Sequence, residues 1–220
     1  MLRAILIVAS VFWGGQLWAN QPVILVLGDS LSAAYGFDTS QGWVALLERR
    51  LAQQGFQYSV ANASVSGDTT SSGLARIGSA LARHDPAIVI IELGANDGLQ
   101  ALAVNSVQQN LAQMIEITQT QGREVLLIGM RLPPNYGTAY VATFEAIYPT
   151  LTKSYQLQLV PFLLEGVAAV PDMIQSDGVH PSAEAQPRIL DNIWPHLLPL
   201  LKTEVSWHTG RSNRYSRYPE

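Results

Sequence analysis

Four short segments hold residues whose types suit acyl transfer. Gly28-Asp29-Ser30-Leu31-Ser32 follows directly on the apolar run Pro22–Leu27. A serine placed there is held by a rigid strand, and if it opens a helical turn its hydroxyl lies near backbone N–H groups and a positive dipole end. Serine needs a base to become nucleophilic. Of the four histidines, His84 ends a surface helix, His196 sits among prolines and leucines, and His208 is near the C-terminus. His180 differs, lying in the loop Ser176-Asp177-Gly178-Val179-His180-Pro181. Asp177, three residues upstream across a glycine, is placed to accept the proton of one ring nitrogen and leave the other free for the serine.

Two more segments offer hydrogen-bond donors. Asn62–Thr70 contains Gly67, and Glu92–Gly98 contains Asn96. Acyl transfer builds negative charge on the former carbonyl oxygen, and each donor aimed at it is worth about 3–4 kcal/mol. Glycine offers an unobstructed N–H and asparagine a side-chain NH₂, so Gly67, Asn96 and the Ser30 N–H make three donors. Taken singly, each segment also reads as a helix cap or a polar turn. The combination in four loops is what points to catalysis.

Those loops need a frame that brings them to one edge. Pro22–Leu27, Gln57–Ala61, Ala87–Leu93, Glu124–Gly129 and Leu157–Pro161 read as strands, the first as a continuous apolar run buried on both faces and the third as the most hydrophobic of them. Helical spacing is expected over 43–54, 70–83, 104–121, 138–155 and 182–201, with Pro149 kinking or splitting the fourth of these and Pro187, Pro195 and Pro199 interrupting the last. Alternating strands and helices predict an α/β fold with a mainly parallel sheet covered by helices on both faces. Right-handed crossovers then place all strand C-terminal ends, and the four loops, on the same edge.

The composition agrees with one enzyme-sized domain. The chain has 220 residues, 48% hydrophobic and 14% charged, enough to bury a core and too apolar for a disordered protein. Its formal net charge of −4 and lack of a basic stretch in the folded part argue against nucleic-acid binding. With no cysteine, the chain can have no disulfide, thiolate metal site, cysteine nucleophile or N-terminal lipidated cysteine. Arg3 followed by the apolar run Ala4–Trp13, then Leu17-Trp18-Ala19, reads as a signal peptide over 1–19 cleaved after Ala19. The run is too short to span a bilayer, which takes about 20 residues. The expected organisation is therefore a signal peptide, a catalytic domain over 20–201 and a flexible polar tail over 202–220, the rival reading of the first segment being a membrane anchor that stays attached.

The four blocks, in this order, resemble those of the SGNH (GDSL) hydrolase superfamily. The similarity covers essentially Val23 to Leu201 and is most pronounced to the bacterial multifunctional thioesterase I, lysophospholipase and arylesterase group. Asn62–Thr69 (NASVSGDT), Leu93–Leu99 (LGANDGL), Arg131–Gly137 (RLPPNYG) and Asp177–Pro187 (DGVHPSAEAQP) carry it. The resemblance implies a flavodoxin-like three-layer sandwich with a five-stranded parallel sheet. It also implies Ser30 as nucleophile, Asp177 and His180 as the remainder of a triad, and Ser30, Gly67 and Asn96 as the oxyanion hole. Ala95 departs from the glycine common in that group. Arg131–Gly137 is implied to be a loop bearing on acyl-chain length. Leu31, Leu99, Arg131, Pro133 and Tyr136 are candidate pocket residues. Asp29 and Asp97 are expected to orient their loops and not to act as second bases.

The expectation is a periplasmic or secreted, monomeric enzyme that cleaves small acyl esters or thioesters without a metal or organic cofactor, with no nucleic-acid partner and no membrane anchor once the leader is removed. Two alternatives stay open at this point. One is a carbohydrate acetyl esterase with the same triad. The other is a binding protein that holds an anion at the loop edge without catalysis.

Overall fold

A computed structural model of the chain describes residues 21–202. The expected leader over 1–19 and all of the expected tail beyond Lys202, with His208, Arg211, Arg214 and Arg217, lie outside the described residues.

Five strands form one parallel sheet: β1 (Val23–Gly28), β2 (Ser59–Asn62), β3 (Ile88–Glu92), β4 (Glu124–Ile128) and β5 (Gln158–Val160), in the order β2-β1-β3-β4-β5. The chain steps outward from β1 to β2 and then crosses back to β3, so the order reverses between β1 and β3. Ligand sites of open parallel sheets lie at such a reversal, outside the carboxyl ends of the strands. Register places Gly28 opposite Glu92, so the last residues of β1 and β3 end level.

The apolar runs become the sheet's centre. Ile24–Leu27, Ile88–Ile91 and Leu126–Ile128 are almost completely buried. Each such side chain contributes about 1.5–3 kcal/mol relative to exposure. On one face α1 (Trp43–Gln53) packs against α7 (Gln186–Leu197); on the other lie α2 (Thr70–His84), α4 (Val104–Gln119), α5 (Thr138–Glu145) and α6 (Ile147–Tyr155). The arrangement is the expected α/β three-layer sandwich with a five-stranded parallel sheet.

Differences from the sequence expectation have local causes. The 138–155 helix splits at Ala146, three residues before Pro149. Pro149 has no N–H to give the carbonyl of Glu145, four residues back, and its ring crowds that carbonyl. The final helix runs 186–197, flanked by 3-10 turns at Ala183–Ala185 and Leu198–Leu200. Pro187 fits its first turn, where an N–H would be unpaired anyway. Gly94–Gly98, expected as a turn, instead opens the short helix α3 (Ala95–Leu99).

Candidate active site

At the exit of β1 the backbone turns tightly around Asp29. Its side chain Oδ1 accepts the Leu31 N–H at 3.0 Å, and its carbonyl accepts the N–H groups of Ser32 and Ala33. Ser30 is thereby presented on a turn and not on a continuing helix. Gly28 is required here, because a Cβ would sit 2.6 Å from Glu92 Oε2 and 2.8 Å from Ser32 Oγ.

The histidine loop is built from its own hydrogen bonds. Gln175 N–H donates to the His180 carbonyl at 2.7 Å, and Gly178, at φ +73°, turns the chain between them. Asp177 Oδ1 accepts the N–H groups of Val179 and His180, at 2.9 and 3.0 Å. Its Oδ2 lies 2.7 Å from His180 Nδ1, and His180 Nε2 lies 2.9 Å from Ser30 Oγ. The backbone N–H groups of His180 and Val179, then the imidazole, hold the Asp177 carboxyl down at about 2. A carboxylate can only accept, so Nδ1 carries the proton and Nε2 is free to take one from the serine hydroxyl. Sequence spacing placed Asp177 and His180 together; the structure adds Ser30, 150 residues away.

The three expected donors come from separate loops. Neither Ser30 N–H nor Gly67 N–H has an acceptor among the described residues. Gly67 sits at φ +85° on an exposed loop tip. Asn96, in the first turn of α3, is differently placed. Its Nδ2 donates to Asp29 Oδ2 at 3.0 Å and to the Asp68 carbonyl at 2.9 Å. Both amide hydrogens are engaged, so an oxyanion would share one of them. Asp97 orients the loop as expected: fully buried, it accepts Thr70 N–H at 2.8 Å and Thr70 Oγ1–H at 2.6 Å.

Beneath the nucleophile lies a carboxyl pair. Asp29 is buried, and burial pushes its carboxyl up to about 6 despite the lowering influence of the Leu31 N–H and His180. It fixes its loop, as expected, while burial raises its carboxyl above the ordinary range, which was not expected. Glu92 is fully buried, accepts Ser32 Oγ–H at 2.5 Å through Oε2, and leaves Oε1 without a partner among the described residues. Burial first, and then Asp29, push its carboxyl well above the ordinary range. A neutral acid suits that site, since an unpaired buried charge is costly. Sequence reasoning passed over Glu92, although a lone carboxylate in AIVIIEL was a usable signal.

The candidate pocket residues divide. Leu31 packs in the core at 8% exposure instead of lining an open groove. Leu99 is exposed, and its carbonyl accepts the Tyr136 hydroxyl at 3.0 Å, joining the end of α3 to the 3-10 turn that follows β4. Pro133 is exposed and precedes the 3-10 turn Pro134–Tyr136. Arg131 is taken up by Glu165, at 3.2 Å, and by the face of Phe162. Tyr35, not singled out from sequence, lies against the His180 ring with centroids 4.4 Å apart.

Comparison with known proteins agrees with this arrangement. The pattern of the GDSL-like Lipase/Acylhydrolase family matches residues 26–187. The chain is 54% identical over 183 residues to Esterase TesA of Pseudomonas aeruginosa, covering 83% of this chain and 91% of that protein. It is 43% identical over 183 residues to the Escherichia coli K12 protein named thioesterase 1/protease 1/lysophospholipase L1, covering 83% and 86%. A crystal structure of TesA is similar at a TM-score of 0.80 and 54% identity, covering 81% of this chain and 99% of that one.

Proposed function

Because this chain belongs to the GDSL-like lipase/acylhydrolase family and is a hydrolase of ester bonds, we propose that Ser30 is its nucleophile, His180 its general base and Asp177 the carboxylate that orients the base. His180 Nε2 takes the Ser30 proton as Oγ bonds to the acyl carbon. The carbonyl oxygen becomes an oxyanion, met by the N–H groups of Ser30 and Gly67 and the Asn96 amide. The carbon–oxygen or carbon–sulfur bond then breaks, and the leaving alcohol or thiol departs with the proton from His180. Water, deprotonated by the same imidazole, attacks the acyl-enzyme and returns Ser30 as the acid leaves. The observation that carries this reading is the imidazole itself, 2.9 Å from the hydroxyl on one side and 2.7 Å from the carboxylate on the other.

The substrates we assign are acyl esters and thioesters of the arylesterase, acyl-CoA thioesterase and lysophospholipase type; the relatives' names, one an esterase and one a thioesterase and lysophospholipase, support the ester, thioester and lysophospholipid parts of that range. The acetylated-sugar and binding-only readings draw no support from those names. The export segment read over 1–19 supports a periplasmic or secreted enzyme. Among the described residues, no helix is long and apolar enough to cross a membrane. All five proposed site residues come from one chain, which suits a monomer.

A panel of aryl esters, acyl thioesters and lysophospholipids, assayed on wild type and Ser30→Ala, tests the assignment. Hydrolysis of long-chain esters that disappears in Ser30→Ala supports it. Activity confined to acetylated sugars, or undiminished in Ser30→Ala, refutes it.

A further inference from the structure

Arg76, on the second turn of α2, reaches back under the loops that follow β1 and β2. Its Nε donates to Asp68 Oδ2 at 2.6 Å, its Nη2 to the Gly28 carbonyl at 3.1 Å, and its Nη1 to the Ala63 carbonyl. The side chains of Arg76 and Asp68 are only 24% and 12% exposed. A guanidinium is a planar fork of five donors, and no other side chain could meet three acceptors in these directions at once.

The three acceptors are informative by position. Ala63 and Asp68 bracket the loop whose exposed tip is Gly67, so the guanidinium closes that loop across its base. Beyond this clamp, the loop is tied by Val65 N–H donating to the Gly28 carbonyl at 3.0 Å, by Ser64 N–H donating to Asn62 Oδ1 at 3.1 Å and by the internal bond from Asp68 N–H to the Val65 carbonyl, none of which reaches Gly67. Space around Gly67 is open, with nothing within 4 Å of where a Cβ would be. Packing therefore does little to fix its N–H. Asp68, gripped through its carboxylate, also accepts one Asn96 amide hydrogen on its carbonyl. Gly28, the third acceptor, is two residues before Ser30.

We propose that Arg76 is a positioning residue for the oxyanion hole, holding the Gly67 N–H and, through Asp68, the Asn96 amide in register with Ser30. It touches no reacting atom. The proposal rests on the oxyanion assignment made above.

The test is a kinetic cycle on wild type, Arg76→Met, Arg76→Lys, Asn96→Ala and the Arg76→Met/Asn96→Ala double variant. Arg123→Met serves as control, since Arg123 makes comparable bonds to Asp85 and Pro86 far from the site. Arg76→Met is expected to lower kcat by roughly 10- to 100-fold while KM changes by less than about threefold, as misplaced donors act in the transition state. Arg76→Lys, which keeps the charge but cannot span three acceptors, recovers only part of the loss. In the double variant the two losses multiply to less than their product. Arg123→Met retains kcat. A folded Arg76→Met enzyme with wild-type kcat, or losses that multiply fully with Asn96→Ala, overturns the proposal. Should Arg76→Met fail to fold, Asp68→Ala removes only the Asp68 link and must show the same sub-multiplicative coupling to Asn96→Ala. Wild-type kcat in Asn96→Ala instead overturns the oxyanion assignment, and the proposal falls with it.

Discussion

The phenol ring of Tyr35 lies over the His180 imidazole, centroids 4.4 Å apart and planes inclined by 34°, while 49% of Tyr35 stays open to solvent. One side chain ties the two loops together. Gln175 Nε2 donates to the Tyr35 carbonyl at 2.8 Å and to the Pro181 carbonyl at 3.0 Å. An aromatic face attracts a neighbouring positive charge, and the imidazole gains such a charge only as the serine proton moves to it. Such contacts are worth about 0.5–1 kcal/mol at exposed sites, so Tyr35→Ala is expected to lower kcat by roughly two- to fivefold. Tyr35→Phe, which keeps the ring, leaves it unchanged. Steady-state kinetics on an aryl ester distinguish the two variants.

Asp177 is held charged by two backbone N–H groups and the imidazole, with its carboxyl at about 2 against an ordinary value of 3.8. Asp177→Asn can still accept those backbone bonds but no longer selects the tautomer that leaves Nε2 free. The expected loss in kcat is roughly 10²- to 10⁴-fold with little change in fold. Because the folded-state value is depressed, the charged group favours folding fully above pH 3.8 and ceases to as pH falls through about 2. The wild type, not the variant, therefore shows that part of acid unfolding in a circular-dichroism titration.

Glu92 supplies a stability prediction of opposite sign. Its folded-state carboxyl titrates well above the ordinary 4.5, so the native protein keeps a proton that the unfolded chain has lost. Stability then falls as pH rises above 4.5, by up to about 1.4 kcal/mol per pH unit for one proton. Glu92→Gln keeps an acceptor for Ser32 and has no proton to lose. Denaturant midpoints at pH 5, 7 and 9 are expected to diverge, with the variant gaining on wild type as pH rises. Parallel curves would show that Glu92 does not stay protonated.

Gly94 and Gly67 both have positive φ, +117° and +85°, yet they should respond differently to alanine. A Cβ on Gly94 would lie 2.3 Å from the buried Tyr148 hydroxyl, itself bonded to the Leu93 carbonyl at 3.1 Å. Strain and clash together are expected to cost about 2–4 kcal/mol. Gly67→Ala meets open space and carries only backbone strain, about 1 kcal/mol. Urea unfolding of the two variants checks the order.

How much of this could be read from residues alone follows from the range of the interactions. The strands stood out because Ile24–Leu27 and Ile88–Ile91 are apolar on both faces, which leaves few other readings. The Asp177–His180 pair was legible because three residues and a glycine span it. Its meeting with Ser30 depended on topology, and only the pattern of four blocks across the chain anticipated it. Arg76 and Tyr35 were invisible for a different reason. Each acts through contacts to loops distant in sequence, and on α2 an arginine looks like any solvated charge. The engagement of both Asn96 amide hydrogens could not be foreseen either, since it depends on where the Asp68 carbonyl points.

The most direct test is intact-mass and peptide-mapping analysis after treatment with a fluorophosphonate. A single adduct per chain is expected, on Ser30, absent in Ser30→Ala and formed far more slowly in His180→Ala. Labelling at another residue, or a folded wild-type chain that takes up no label, would contradict it.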